Sequence, residues 1–201
     1  MRSASPAWRP AWVVLLLLVA GLAAGLPADP GCAQALPDAA AKARRLDGLL
    51  GRLEATQDEG EGDALVAEIW GEWVRSGTPD LDERMEQAGG LVGQGLHALA
   101  LPMLTDLVER APDWAEAWNK RATAFYLAGQ HDLSLADIER VLALEPRHFG
   151  ALAGKGLIYI ARGQYREALA AYRRALAVNP FLKERRDVIP ALERMVGEKP
   201  I

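Results

Sequence analysis

The stretch Gly150-Ala-Leu-Ala-Gly154-Lys155-Gly156 comes nearest to reactive chemistry in this 201-residue sequence. A phosphate-cradling loop needs Gly-rich backbone N–H groups, a Lys for the outer phosphates and a Ser or Thr for magnesium. Here the spacing is one residue short, Gly156 stands where the hydroxyl belongs, and the surrounding pattern puts Lys155 inside a helix. The stretch therefore does not encode a nucleotide site. There is no His-Glu-x-x-His zinc motif, no Gly-x-Ser-x-Gly nucleophile elbow and no cysteine pair. Of the three histidines, His97 and His131 lie 34 residues apart in a column that Tyr165 completes. That column reads as an aromatic packing position at a turn, where stacked units would hold the two imidazoles apart. His148 follows Pro146-Arg147 and reads as a loop residue facing solvent or a partner. The expectation is a chain that is not an enzyme and uses no cofactor and no metal.

The overall composition agrees. Half of the residues are hydrophobic and a quarter are charged, enough for one ordinary core or a short solenoid. Net charge is −4, and Lys and Arg are interleaved with Asp and Glu, so no basic footprint for nucleic acid exists.

The first forty residues carry an export pattern. Arg2 and Arg9 precede an uncharged run from Ala11 to Leu26, followed by a Pro- and Gly-rich stretch ending in Ala33-Gln34-Ala35. A positive flank, an apolar centre and a small-x-small site make a secretory signal peptide. The run of 16 residues falls short of the roughly 20 that a spanning helix needs. Residues 1–35 are thus expected to be cleaved after Ala35, with delivery to the periplasm of a Gram-negative bacterium. A lipoprotein signal would also place a cysteine here, but Asp29-Pro30-Gly31 replaces the Leu and small residues that should precede Cys32. Cleavage would remove Arg2, Arg9, Asp29 and the single cysteine, taking the net charge from −4 to −5. A cysteine-free chain must hold its fold by packing alone.

The second half is periodic. Pro112, Pro146 and Pro180 are 34 residues apart, as are Gly95, Gly129 and Gly163. Apolar columns recur at the same spacing: Leu91, Phe125, Tyr159; Ala100, Ser134, Ala168; Leu104, Ile138, Tyr172; Leu107, Val141, Ala175. Each unit reads as two helices, such as Ala115–Ala128 and Asp132–Leu144, divided by a Gly that permits a tight turn and followed by a Pro that stops the second helix. Small residues fill one column because two antiparallel helices approach there, and larger ones fill the space between at helical spacing.

Ala117-Trp118-Asn119-Lys120-Arg121-Ala122, then Phe125-Tyr126, Gly129, Ser134, Ile138, Val141 and Pro146, resemble the tetratricopeptide repeat, and the following copy fits it better still. The first copy is weaker, with Pro102 early in its second helix. The composition is also similar to small exported repeat proteins of alphaproteobacteria. The resemblance implies an all-α, right-handed superhelical solenoid of antiparallel helix pairs, with repeats at 81–114, 115–148 and 149–182. Residues 36–80 read as a degenerate helical hairpin capping the N-terminal end, Asp38–Ala55 and Asp63–Arg75 being joined by the polar linker 57–62. Residues 183–201 hold a C-terminal capping helix and tail, its apolar side formed by Val188, Ile189, Leu192 and Met195.

In this family the first helix of each pair lines a concave groove that takes peptides or helices. The resemblance therefore assigns Met85, Glu116, Asn119, Thr123, Tyr126, Ala153, Leu157 and Ile160 to a peptide-binding groove, with Asp82, Gly89 and Val92 beside Met85. The Lys, Asn and Arg set with which some members grip a C-terminal carboxylate is broken by Met85, Thr123, Ala153 and Leu157. Arg121 stands where the repeat normally has an apolar residue, and its charge requires Asp137 or Glu116 as partner. The reading is a periplasmic adaptor or assembly factor with a protein or peptide partner, no nucleic acid, and membrane contact only through the signal. Two alternatives remain: a self-associating scaffold, and an assembly factor tethered by an uncleaved N-terminal helix.

Overall fold

The computed structural model describes residues 30–197, with side chains from residue 39 onward. The expected signal peptide 1–35, its cleavage after Ala35 and the fate of Cys32 fall outside that side-chain range. The described residues form nine α-helices and no strand: α1 (Pro30–Ala55), α2 (Glu59–Val74), α3 (Pro79–Gly93), α4 (His97–Arg110), α5 (Ala115–Leu127), α6 (His131–Leu144), α7 (Phe149–Ala161), α8 (Tyr165–Val178) and α9 (Val188–Val196). Helices α3/α4, α5/α6 and α7/α8 are three antiparallel pairs stacked in chain order. His97, His131 and Tyr165 open the second helix of each pair, and His131 stacks on Tyr126 with ring centroids 5.4 Å apart.

The turn within each pair needs a backbone that few side chains tolerate. Gly95, Gly129 and Gly163 have φ of 77°, 74° and 70°, in the left-handed region that glycine enters without steric cost. Beyond each turn the small column Ala100, Ser134 and Ala168 is buried. Ser134 donates its hydroxyl to the Ala122 carbonyl at 2.7 Å, so the one polar member of that column is satisfied by the helix it faces. Arg121 and Asp137 answer the sequence expectation with a two-pronged pair, Nε–Oδ2 at 2.7 Å and Nη2–Oδ1 at 2.8 Å.

Two helix boundaries differ from the sequence reading. The polar linker 57–62 is mostly helical, because Asp58 accepts the Glu61 N–H at 2.6 Å and starts α2 at Glu59, with Glu59 and Glu61 favoured in the first turn. The C-terminal helix is broken into a short turn, Lys183–Arg185, and α9; Asp187 caps α9, whose first turn accommodates Pro190.

The larger correction concerns the N-terminal hairpin, which does more than cap one end. Its apolar side, Leu46, Leu50 and Leu53 on α1 with Leu65, Ile69 and Trp73 on α2, forms a core with Phe149. From there α2 runs across the row of turns that link one pair to the next. Trp73 accepts the Trp114 indole N–H on its carbonyl at 2.8 Å and stacks flat on His148, centroids 4.0 Å apart. One turn earlier, Trp70 stands edge-on to His148 and Phe149. At the start of the helix, Gly62 leaves room for the Phe181 ring, and Glu59 pairs with Arg185 at 3.1 Å and Arg186 at 2.5 Å. Arg147 reaches Asp47 on α1 at 2.6 Å.

The third pair shows how tightly the column sizes are matched. Tyr172 is fully buried where the second pair has Ile138, and Gly156 stands where that pair has Ala122. A Cβ on Gly156 would lie 2.5 Å from Tyr172 Cε2. Burial also drives the Tyr172 hydroxyl well above the usual tyrosine range, so it stays protonated at any physiological pH. Alanine in place of a helix-interior glycine ordinarily stabilises by about 1 kcal/mol. Gly156→Ala is expected instead to destabilise, by about 1–3 kcal/mol in urea melts, because the ring has no room to withdraw. Adding Tyr172→Ile should restore stability to the wild-type level or above. Trp73→Ala is expected to cost about 3–5 kcal/mol in the same melts, since it empties the space between α2 and two repeats; a loss below about 1 kcal/mol would show the hairpin to be loosely attached.

Candidate functional site

Helices α5 and α7 each present a row of residues, three or four apart, on the side away from α6 and α8. The eight groove residues expected from sequence divide along this row. Glu116, Asn119, Ala153 and Met85 are buried, whereas Thr123 and Leu157 are exposed and Tyr126 and Ile160 partly so. Part of this division is made by α2. A Cβ on Gly150, in the first turn of α7, would lie 2.6 Å from Trp70 Cη2. The hairpin thus closes the groove around Glu116, Asn119 and Gly150, while Met85 and Ala153 are taken up by the cores of the repeats themselves, and only the C-terminal half is open.

The covered half contains a polar cluster that is built rather than tolerated. His148 has no solvent exposure, contrary to its expected place in an open loop. Its Nδ1 accepts the Ala151 N–H at 3.1 Å, so the ring caps α7 in the way an Asp or Ser usually does. With Nδ1 accepting, the proton sits on Nε2, which donates to Glu116 Oε2 at 3.1 Å. The same oxygen accepts from Asn119 Nδ2 at 2.9 Å, and Lys120 lies 3.6 Å from Oε1. Glu116 and Asn119, assigned to a ligand by sequence, thus bind each other, and Glu116 binds His148 as well. Arg121 uses Asp137 and leaves Glu116 to this cluster. Its guanidinium also lies over the Trp118 ring at 4.9 Å, which buries its flat face as well as its charge.

The open half is mostly apolar. Thr123 turns its hydroxyl back onto the Asn119 carbonyl at 2.9 Å and so presents its methyl group. Leu127, one turn beyond Thr123 and half exposed, extends the strip and was not anticipated from the sequence. Its signal was there, since residues four apart share a helix face. With Tyr126, Leu157 and Ile160 it makes a shallow surface across two adjacent repeats. Its hydrogen-bonding groups are few, so it can grip side chains but offers little to a bare backbone. Among the described residues no cluster of His, Cys, Asp and Glu is placed to hold a metal ion, and no helix is long and apolar enough to cross a membrane.

Comparison with known proteins gives a consistent picture. Family models described as tetratricopeptide repeat match residues 86–148 and 150–182. A TPR repeat-containing protein of Rhizobium etli is 33% identical over 157 residues, spanning 78% of this chain and 77% of the relative. Among solved structures, the Sgt2 TPR domain from Aspergillus fumigatus superposes with a TM-score of 0.56 at 20% identity, covering 60% of this chain and 81% of that one. The first TPR of Spaghetti, solved with the HSP90 peptide SRMEEVD, gives a TM-score of 0.54 at 19% identity, covering 56% and 90%. These structures share the fold; the bacterial relative carries the kinship. With the 34-residue columns now seen as stacked helix pairs, the chain belongs to the tetratricopeptide-repeat family.

Proposed function

We propose that this protein is a non-catalytic adaptor or assembly factor of the periplasm, which holds a partner protein through the open half of its groove. The observation that carries the reading is the apolar strip of Thr123, Leu127 and Leu157, exposed, with Tyr126 and Ile160, half-buried, set on helices beside a half already closed by the chain itself. Exposed apolar surface on rigid elements is what a side-chain-gripping site needs, and such contact has value only when a partner covers it. The Spaghetti repeat module solved with a peptide supports the same class of partner. Because the half with Glu116 and Asn119 is closed, the ligand segment is short and apolar, in contrast to one held by backbone hydrogen bonds along the full groove. The periplasmic location rests on the N-terminal pattern of Arg2, Arg9, the apolar run and Ala33-Gln34-Ala35.

The test compares the wild type with Thr123→Arg/Leu157→Arg as bait in a periplasmic extract. A protein retained by the wild type and reduced at least tenfold on the variant identifies the partner; equal retention on both removes the strip from consideration. Intact mass of the exported protein is expected to match a chain beginning at Leu36, and a mass that includes residues 1–35 would establish the tethered alternative.

A further inference from the structure

The outer side of the hairpin carries a second feature, unconnected with the strip on α5 and α7. Between α1 and α2, on the side away from the repeats, runs a trough of about 700 Å³. We propose that this trough docks an acidic amphipathic helix supplied by a partner protein.

The charge on its walls is the first reason. Arg44, Arg45, Arg52 and Arg75 line it against only Glu68 and Glu72, in a chain whose net charge is −4. Glu72 is already shared between Arg45 and Arg75, each at 3.3 Å. Arg52 turns outward to Glu61 at 3.0 Å, and Arg44 has no ion-pair partner among the described residues. Cationic groups are thus concentrated where the chain supplies too few carboxylates to answer them. A ligand with negative side chains would complete the set, and guanidinium groups suit carboxylates because they can engage both oxygens.

The floor is the second reason. Gly48 on α1 and Gly71 on α2 sit in helix interiors, where glycine costs about 0.5–1 kcal/mol relative to alanine. Three helix glycines of this chain serve its own packing, Gly62 admitting Phe181, Gly150 Trp70 and Gly156 Tyr172, whereas Gly51, Gly89 and Gly93 stand open as the two floor glycines do. At Gly48 nothing stands within 4 Å of where a Cβ would be, and at Gly71 only the Arg75 side chain does, at 3.7 Å. Two neighbouring helices with low floors leave a straight channel into which a third helix can settle closely. An extended strand fits poorly, since the amides of α1 and α2 are spent within their helices and offer no ladder. A bilayer surface fits poorly as well, because it is broad and flat and cannot follow the recessed floor at Gly48 and Gly71.

The probe is a fluorescein-labelled helical peptide of repeating Glu-Ala-Ala-Leu-Glu-Ala-Leu sequence, with a second peptide carrying Lys for Glu. Fluorescence anisotropy is measured with the full chain, and circular dichroism verifies that each variant is folded. The acidic peptide is expected to bind and the basic one not to. Arg44→Glu/Arg52→Glu should weaken binding at least tenfold, and Gly71→Leu, which fills the floor without changing charge, should do the same. Thr123→Arg/Leu157→Arg should bind the acidic peptide as the wild type does, which separates this site from the strip on the repeats. The proposal is overturned by failure of the wild type to bind the acidic peptide, by equal binding of the basic peptide, or by wild-type affinity in both trough variants. Sedimentation with phosphatidylglycerol vesicles in the absence of peptide binding would overturn it in favour of a membrane. A wild-type dimer that dissociates on Arg44→Glu/Arg52→Glu would overturn it in favour of a second copy.

Discussion

The arrangement of this protein turns on one ring. His148 joins three elements that are remote in sequence: its Nδ1 closes the first turn of α7, its Nε2 reaches Glu116 in the first turn of α5, and its face carries Trp73 of α2. Each role restricts the others. Capping fixes the tautomer, the tautomer makes Nε2 a donor, and the donor satisfies a carboxylate that is 1% exposed. Stacking then seals the assembly from water, which strengthens the hydrogen bonds inside it. Oε2 of Glu116 takes both hydrogen bonds, while Oε1 has no hydrogen-bond partner and only the Lys120 ammonium 3.6 Å away. The buried charge of Glu116 therefore depends on Asn119, Lys120 and His148 together.

How much of this was legible beforehand depends on whether the information was local. The 34-residue columns specified the helix pairs, since spacing and residue size are properties of neighbouring turns. The positions of Gly95, Gly129 and Gly163 located each turn for the same reason. The path of α2 was not legible, because its contacts with Trp114, His148 and Phe181 join residues 41 to more than a hundred positions apart, and no periodicity records such distances. The apolar side of α2 could be read from Leu65, Ile69 and Trp73, but not what it would meet. His148 was misread because Pro146-Arg147 announces a turn, and a turn is usually open to solvent. A subtler signal existed in its own column, where Trp114 and Leu182 stand 34 residues to either side. Bulky residues at equivalent turns imply a surface that something covers.

The groove residues divide for the same physical cause. Repeat geometry alone directs Glu116 and Asn119 toward the concave side, and in a bare array they would meet solvent or a ligand. Here that half is occupied by the hairpin, so the face available to a partner is defined jointly by the repeats and by a segment that precedes them. Membership of a repeat family therefore specifies the scaffold, while the flanking sequence selects which part of it stays accessible.

A stack of repeats held only by nearest neighbours behaves as a spring: it bends, fans and frays from its ends, with each unit contributing its own increment. The crossing of α2 changes that mechanics. With Asp47 of α1 tied to Arg147, and Glu59 of α2 tied to Arg185 and Arg186, the hairpin acts as a splint laid across the coils. Curvature becomes a fixed property in place of a fluctuating one, and closing so long a loop makes the array fold as a whole and more slowly than a simple repeat of its length. The chain has exchanged elasticity for a surface of constant shape.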